Sequence, residues 1–189
     1  MARIPLLAGE GLTPDQRRVY DAVVSGPRGV LRGPLMAALH RPELADKWQQ
    51  LGELLRYRTS FPARLSELAI LVTARRMNCA LEWHLHEEAA VKAGLERDII
   101  EALRAGRRPV AEAEPEAVDI HDFAAELNDS KTVSDETYAR VLERWGVVGV
   151  VELTALIGYY NMVGMTLNAH EFPLPAGAEP PFGRLAPED

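Results

Sequence analysis

SELAILVTARRMNCALEWHLHEEAAVKAGL, residues 66–95, is the stretch whose reading decides the fold. Counting from Leu65, the apolar residues Leu68, Ala69 and Val72 fall at i+3, i+4 and i+7, which is helical spacing. Ser60 and Pro62 open this helix, and Gly94 closes the stretch as a glycine placed just after a helix C-cap. Glu67 breaks the pattern. On a helical projection Ile70, Leu71 and Ala74 lie near it, and Leu65, Leu68, Ala69 and Val72 occupy the opposite side. A helix that is apolar on both sides of an acid predicts a buried carboxylate, whose charge needs a cation or a donor. Arg64, Arg75 and Arg76 are the candidates nearest in sequence.

The second half, NCALEWHLHEEA (78–89), holds the chain's one cysteine with two histidines and three glutamates. On a helix Cys79, Glu82 and His86 fall within an arc of about 60°, while His84 is displaced from His86 by about 160°. A thiol, a carboxylate and an imidazole on one stripe offer a nucleophile, an acid and a base within mutual reach. The plainer reading is a polar helix face that happens to carry Glu and His. Trp83 sits beside the stripe and is predicted to wall a substrate pocket against water. A carboxylate-rich metal site built from Glu82, His86 and Glu67 is a further reading, but only one Glu-x-x-x-His pair occurs and the second half of a four-helix ligand set is missing. The expectation is therefore no bound metal. His40, His121 and His170 are isolated in sequence, with His170 beside Asn168.

Outward from this centre the signals stay helical. Thr13 and Pro14 open a helix to about Ser25, and GPRGVLRGP (26–34) is a Gly/Pro-punctuated loop. Pro42 opens a helix carrying Leu44, Trp48, Leu51 and Leu55. Residues 96–105 form a short helix closed by Gly106 and Pro109, and the linker VAEAEP (110–115) leads into a helix over about 115–127. Ser134, followed by Asp135 and Glu136, caps a helix presenting Tyr138, Val141, Leu142 and Trp145, which Gly146 breaks. No strand alternation, internal repeat or interdomain linker appears. The chain reads as all-α, one domain over residues 1–189 built as a helical bundle, with an extended C-terminal tail over 175–189.

VVGVVELTALIGYYNMVGMTL (147–167) approaches the roughly 20 residues that span a bilayer. Glu152 and Asn161 lie well inside it and no Lys/Arg pattern marks its ends, so it reads as a helix of a core or a subunit interface, with no membrane partner. A net charge of −7 argues against a nucleic-acid partner, which would call for a basic face. Arg75-Arg76 and the arginines of 104–108 are short clusters beside acids, as on a solvated surface. One cysteine leaves no intramolecular disulfide, and the N-terminal residues hold no secretory h-region, so a cytoplasmic location is expected.

The stretch 66–95 resembles the carboxymuconolactone decarboxylase family, which includes the alkyl hydroperoxidase D proteins. The hydroperoxidase branch carries Glu, eleven residues, then Cys-x-x-Cys-x-x-x-His, and Glu67, Cys79, Glu82 and His86 occupy those places in order. RGPLMAALHRPELADKWQQLGELLRYRTSFPARLSELAIL resembles the family's opening region, and AGLERDIIEALRAGRRP the segment after its histidine. The similarity runs from about Gly33 to Leu174. It implies an alkyl hydroperoxidase D-like helical fold, a symmetric homo-oligomer (a trimer or hexamer), and chemistry on a small molecule without metal or organic cofactor.

Glu82 stands where the hydroperoxidase branch has its peroxide-reactive cysteine, so a two-cysteine cycle has no second thiol here. The resemblance then implies a carboxy-lyase-like enzyme doing acid–base work on a lactone or ring-cleavage acid, with His86 as proton donor and Glu82 and Glu67 orienting it or relaying protons. Two alternatives accompany it. One is peroxide reduction by Cys79 as a lone thiol with an external reductant, and the other is a non-catalytic oligomeric binding protein.

Overall fold

The computed structural model describes residues 1–109 and 114–183, and these contain eight helices and no strand. They are α1 (Pro14–Ser25), α2 (Pro34–Ala38), α3 (Pro42–Tyr57), α4 (Ala63–Arg76), α5 (Ala80–Lys92), α6 (Arg97–Arg104), α7 (Pro115–Ser130) and α8 (Asp135–Ala169). Helix α4 is the axis of the molecule. Every residue from Leu65 to Arg75 is buried, and the helix touches α3, α5, α6, α7 and α8. Its low polar content on all sides is what such a position demands. The all-helical expectation and the buried Glu67 are both realised in it.

The local signals act as read. Thr13 caps α1 in a reciprocal box with Gln16. Gly94 (φ 89°) ends α5, where the Leu95 N–H reaches the Ala90 carbonyl at 3.0 Å. Gly146, at φ 66°, splits α8 into two helical segments, the break the sequence predicted. Helix α7 runs past 127 to Ser130 and stops where Lys131 turns left-handed. Most of the VAEAEP linker, residues 110–113, lies outside the described residues, as does the tail beyond 183.

Helix α3 corrects its expected stripe. Leu44 and Leu51 are 50% and 44% exposed, while Ala45, Trp48, Gly52 and Leu55 face the core. The buried seam is thus carried partly by small residues, because α3 lies close against α8, where Tyr159 occupies the space above Gly52.

Helix α8 is long and apolar enough, by length and composition, to cross a membrane. Its two polar intruders are nevertheless held by the protein. Glu152 accepts from the Ser60 N–H at 2.8 Å and its hydroxyl at 2.5 Å. Asn161 donates to Asn128 on α7 at 2.9 Å, and Asn128 donates to Thr73 on α4 at 3.2 Å, so three helices share one buried polar chain. Leu153, Leu156, Ile157, Tyr160, Val163 and Leu167 are buried along the same helix, as a core reading requires.

Candidate active site

The corner between α4 and α5 builds the site. Met77 ends α4 and Asn78 follows at φ 49°, a left-handed position that asparagine tolerates better than most residues. The Cys79 N–H then reaches back to the Ala74 carbonyl at 2.9 Å and the Asn78 N–H to that of Arg75 at 3.1 Å, satisfying the last carbonyls of α4. The reversal lays α5 against α4 and brings Glu67 to His86, nineteen positions later.

His86 lies between two carboxylates. Its Nδ1 contacts Glu67 Oε2 at 2.6 Å and its Nε2 contacts Glu82 Oε1 at 3.0 Å. All three side chains are buried. Burial pulls the imidazole toward the neutral form, but the charges and hydrogen bonds of Glu67 and Glu82 outweigh it and raise its pKa above the usual value. Both ring nitrogens therefore act as donors from an imidazolium. Among the described residues no three His, Cys, Asp or Glu side chains converge as a ligand set.

The cation paired with Glu67 is one the sequence reading passed over. Arg56 of α3 approaches its Oε1 at 3.7 Å. Arg64 pairs with Glu114 and Glu116, Arg76 with Asp129, and Arg75 donates to the Arg104 carbonyl and to Asn78. Arg56 and Glu67 are too far apart in sequence, and on different helices, for spacing to pair them.

Glu82 and His86 open on a narrow cleft lined also by Arg28, Arg32, Arg56, Tyr159 and Tyr160, while Glu67 sits behind His86. Tyr160 stacks edge-on against the His86 ring at 5.1 Å, and Tyr159 against Tyr160 at 5.3 Å. Burial pushes the Tyr160 phenol well above its ordinary pKa, so it remains a proton-bearing donor. These tyrosines sit inside the apolar helix, where a pair of hydroxyls was the available signal.

Two of the predicted site residues do not line the cleft. Trp83 is wholly buried but does not line the cleft. Its Nε1 donates to Glu87 at 2.9 Å, Phe182 of the C-terminal segment meets it edge-on at 5.3 Å, and the Arg104 guanidinium lies over its ring. Cys79 is the residue before the first turn of α5 and has non-helical dihedrals, so the helical projection does not apply to it. Burial pushes its thiol up to about 12, which keeps it protonated and non-nucleophilic near neutral pH. His84 is exposed, His40 bonds the Pro5 carbonyl, and His121 contacts Asp122.

The protonated state of His86 has a consequence for stability. Its folded pKa is raised, so its contribution is fully present below its unfolded pKa of about 6.5 and is lost as pH rises through the folded value. Asp122 has the opposite sign. Burial opposes its ionisation, but hydrogen bonds from Arg108 and His121 outweigh that and lower its pKa, so its contribution is lost as pH falls below about 3.9. Urea unfolding against pH should therefore show a plateau from about pH 4 to 6.5 and a decline on the alkaline side. The decline should flatten in His86→Gln; an unchanged alkaline limb would contradict a stabilising imidazolium.

The fold and the carboxylate-bridged histidine define a class: an all-helical protein with its ionisable centre on a helical hairpin beside a cleft. Residues 42–121 match the model of the carboxymuconolactone decarboxylase family. No curated protein sequence matches the chain. Among solved structures it is similar to an uncharacterized peroxidase-related protein from Silicibacter sp. TM1040, with a TM-score of 0.73 at 14% identity over 93% of this chain and 92% of that one. It is similar also to the debrominase Bmp8 in complex with 2,3,4-tribromopyrrole (TM-score 0.71, 14% identity, 93% and 95% covered) and to its apo form (0.68, 15%, 86% and 87%). These likenesses confirm the expected alkyl hydroperoxidase D-like fold.

Proposed function

We propose that this protein is a carboxymuconolactone decarboxylase-like enzyme that does cofactor-free acid–base chemistry, decarboxylation or isomerisation, on a small lactone or ring-cleavage carboxylic acid. The observation that carries the reading is the His86 ring held between Glu67 and Glu82 at the edge of a cleft. In decarboxylation the C–C electron pair of R–COO⁻ moves into a conjugated carbonyl as CO₂ leaves, and the resulting enolate takes one proton to give R–H. The enzyme must therefore hold a proton and deliver it late. His86 stores that proton, Glu82 carries it from Nε2 to the cleft, and Glu67 fixes the ring from behind. The Tyr160 hydroxyl supplies the donor for the enolate oxygen. In isomerisation the same pair removes a proton and returns it at a different carbon.

The test is incubation of the metal-free protein with a panel of carboxylated butenolides in D₂O. Release of CO₂, or movement of the ring double bond, with one deuterium on the product carbon is the expected result. No turnover of any member by a folded protein would overturn the reading. Peroxide reduction by Cys79 lacks a comparable observation, since its thiol is buried and protonated.

We also read one face of α8 as a contact between copies. Val147, Val148, Val151 and Met165 are each 59–68% exposed, an apolar stripe that water disfavours. Light scattering should give a mass above 20.9 kDa, and Val151→Glu should reduce it to the monomer; a monomeric wild-type chain would sink this reading.

A further inference from the structure

We propose that Arg28 and Arg56 form an anion seat that fixes a carboxylate of the substrate beside the His86–Glu82 pair, making Arg28 a specificity-determining residue. The proposal rests on the acid–base reading only in taking carboxylated small molecules as the ligand class.

Both arginines line the cleft, and each carries a buried Nε–H without a partner among the described residues. Unpartnered buried N–H groups are uncommon in folded proteins and call for an acceptor. Here two of them belong to arginines that border one cleft, and a guanidinium binds carboxylates through a flat fork of N–H donors. One nitrogen of each guanidinium group already faces a protein partner. Arg56 turns Nη2 toward Glu67, and Arg28 donates through Nη2 to the Tyr159 hydroxyl at 3.3 Å. The two Nε–H groups are left without a protein acceptor among the described residues.

The seat is built rather than incidental. Arg28 stands in a turn closed by the Gly29 N–H on the Gly26 carbonyl at 3.1 Å, with Gly29 at φ 66°. Its Nη2 reaches to 2.2 Å from where a Cβ on Gly52 would stand, so only the absence of a side chain there lets it pack on α3. Tyr159, having accepted from Arg28, keeps its own O–H to donate, and burial raises its pKa despite the neighbouring guanidinium. Arg32 adds a third positive charge at the rim. A chain of net charge −7 thus concentrates cations at this cleft, which favours the arrival of an anion.

A purely structural Arg28, tying the loop after α1 to α8, would not discriminate between ligand charges. Calorimetric titration with cis,cis-muconate and its neutral dimethyl ester separates the two roles. The wild-type chain is expected to bind the diacid at least ~10-fold more tightly than the diester, with affinity falling as salt rises. Arg28→Gln should lose at least ~10-fold for the diacid and little for the diester, and Arg28→Lys should recover part of the loss. Equal affinities for diacid and diester, equal diacid binding by Arg28→Gln, or no saturable binding by the wild type would each overturn the seat. Inorganic phosphate binding as tightly as muconate would overturn the carboxylate assignment. If Arg28→Gln fails to fold, the acid-against-ester comparison on the wild-type chain decides. His86→Gln should keep diacid binding. Arg28-dependent binding without turnover of any lactone acid would leave the seat standing and remove the acid–base reading.

Discussion

His86→Gln should lower turnover of a lactone-acid substrate by about 10²–10⁴-fold, the range for losing a positioned general acid. The ring has both nitrogens committed, one to each carboxylate, and its protonated form is favoured by both. A glutamine amide can donate to one of these partners, but its carbonyl would then face the other as acceptor against acceptor. It stores no proton at any accessible pH. Affinity should change far less than turnover, since in the proposed chemistry the proton moves only after the substrate is bound.

The substitution also leaves Glu67 and Glu82 without their shared cation. Breaking a fully buried pair costs about 3–5 kcal/mol. The cost here should lie below that range because Arg56 remains beside Glu67 and Glu82 borders the cleft. Steady-state kinetics with a parallel melt separates the two effects. Cys79→Ala is the matched control: the thiol is buried, protonated and outside the Glu67–His86–Glu82 contacts, so turnover should stay within about threefold of wild type. If the control loses activity and His86→Gln retains it, the chemistry belongs to the thiol.

The centre of this site was legible because its information is local. The 3.6-residue period of α4, the acid at Glu67 and the Gly94 stop all lie within thirty residues. What was hidden depends on relations between distant segments. Arg56 meets Glu67 only because α3 packs on α4, and Arg28 enters the cleft only because its loop folds onto Gly52 and Tyr159. Cys79 shows a narrower limit. A helical projection assumes that the helix already exists at the residue projected, and α5 begins one position later. Trp83 illustrates the limit of adjacency, since neighbours on a helix differ by about 100° and so face different surroundings. It points to Phe182, nearly a hundred positions away, rather than to the ligand cleft.

Gly52→Ala should destabilise the protein, against the ordinary trend for a glycine inside a helix. In an exposed helix this change gains about 1 kcal/mol, because alanine loses less backbone freedom on folding. At Gly52 the new Cβ would stand 2.1 Å from the Tyr159 hydroxyl oxygen, 2.6 Å from its Cζ and 2.2 Å from Arg28 Nη2. Arg28 ends a flexible chain and can withdraw. Tyr159 cannot yield so easily, being buried and stacked on Tyr160, which in turn stacks on His86. The methyl must therefore push α3 away from α8 or tilt the ring into the cleft. Overpacking of this kind costs about 1–3 kcal/mol and outweighs the gain in helix propensity over most of that range. In a chain of this length each kcal/mol lowers Tm by roughly 2–4 °C, so a fall of several degrees is expected in a thermal melt. A rise in Tm would show that α3 and α8 do not approach as closely as the packing at Gly52 requires. The same substitution severs Arg28 from Tyr159, so carboxylate affinity should fall together with stability, whereas a distant destabilising change would lower Tm and leave affinity intact. That joint loss follows from one backbone contact serving both the packing of α3 on α8 and the placement of Arg28 in the cleft.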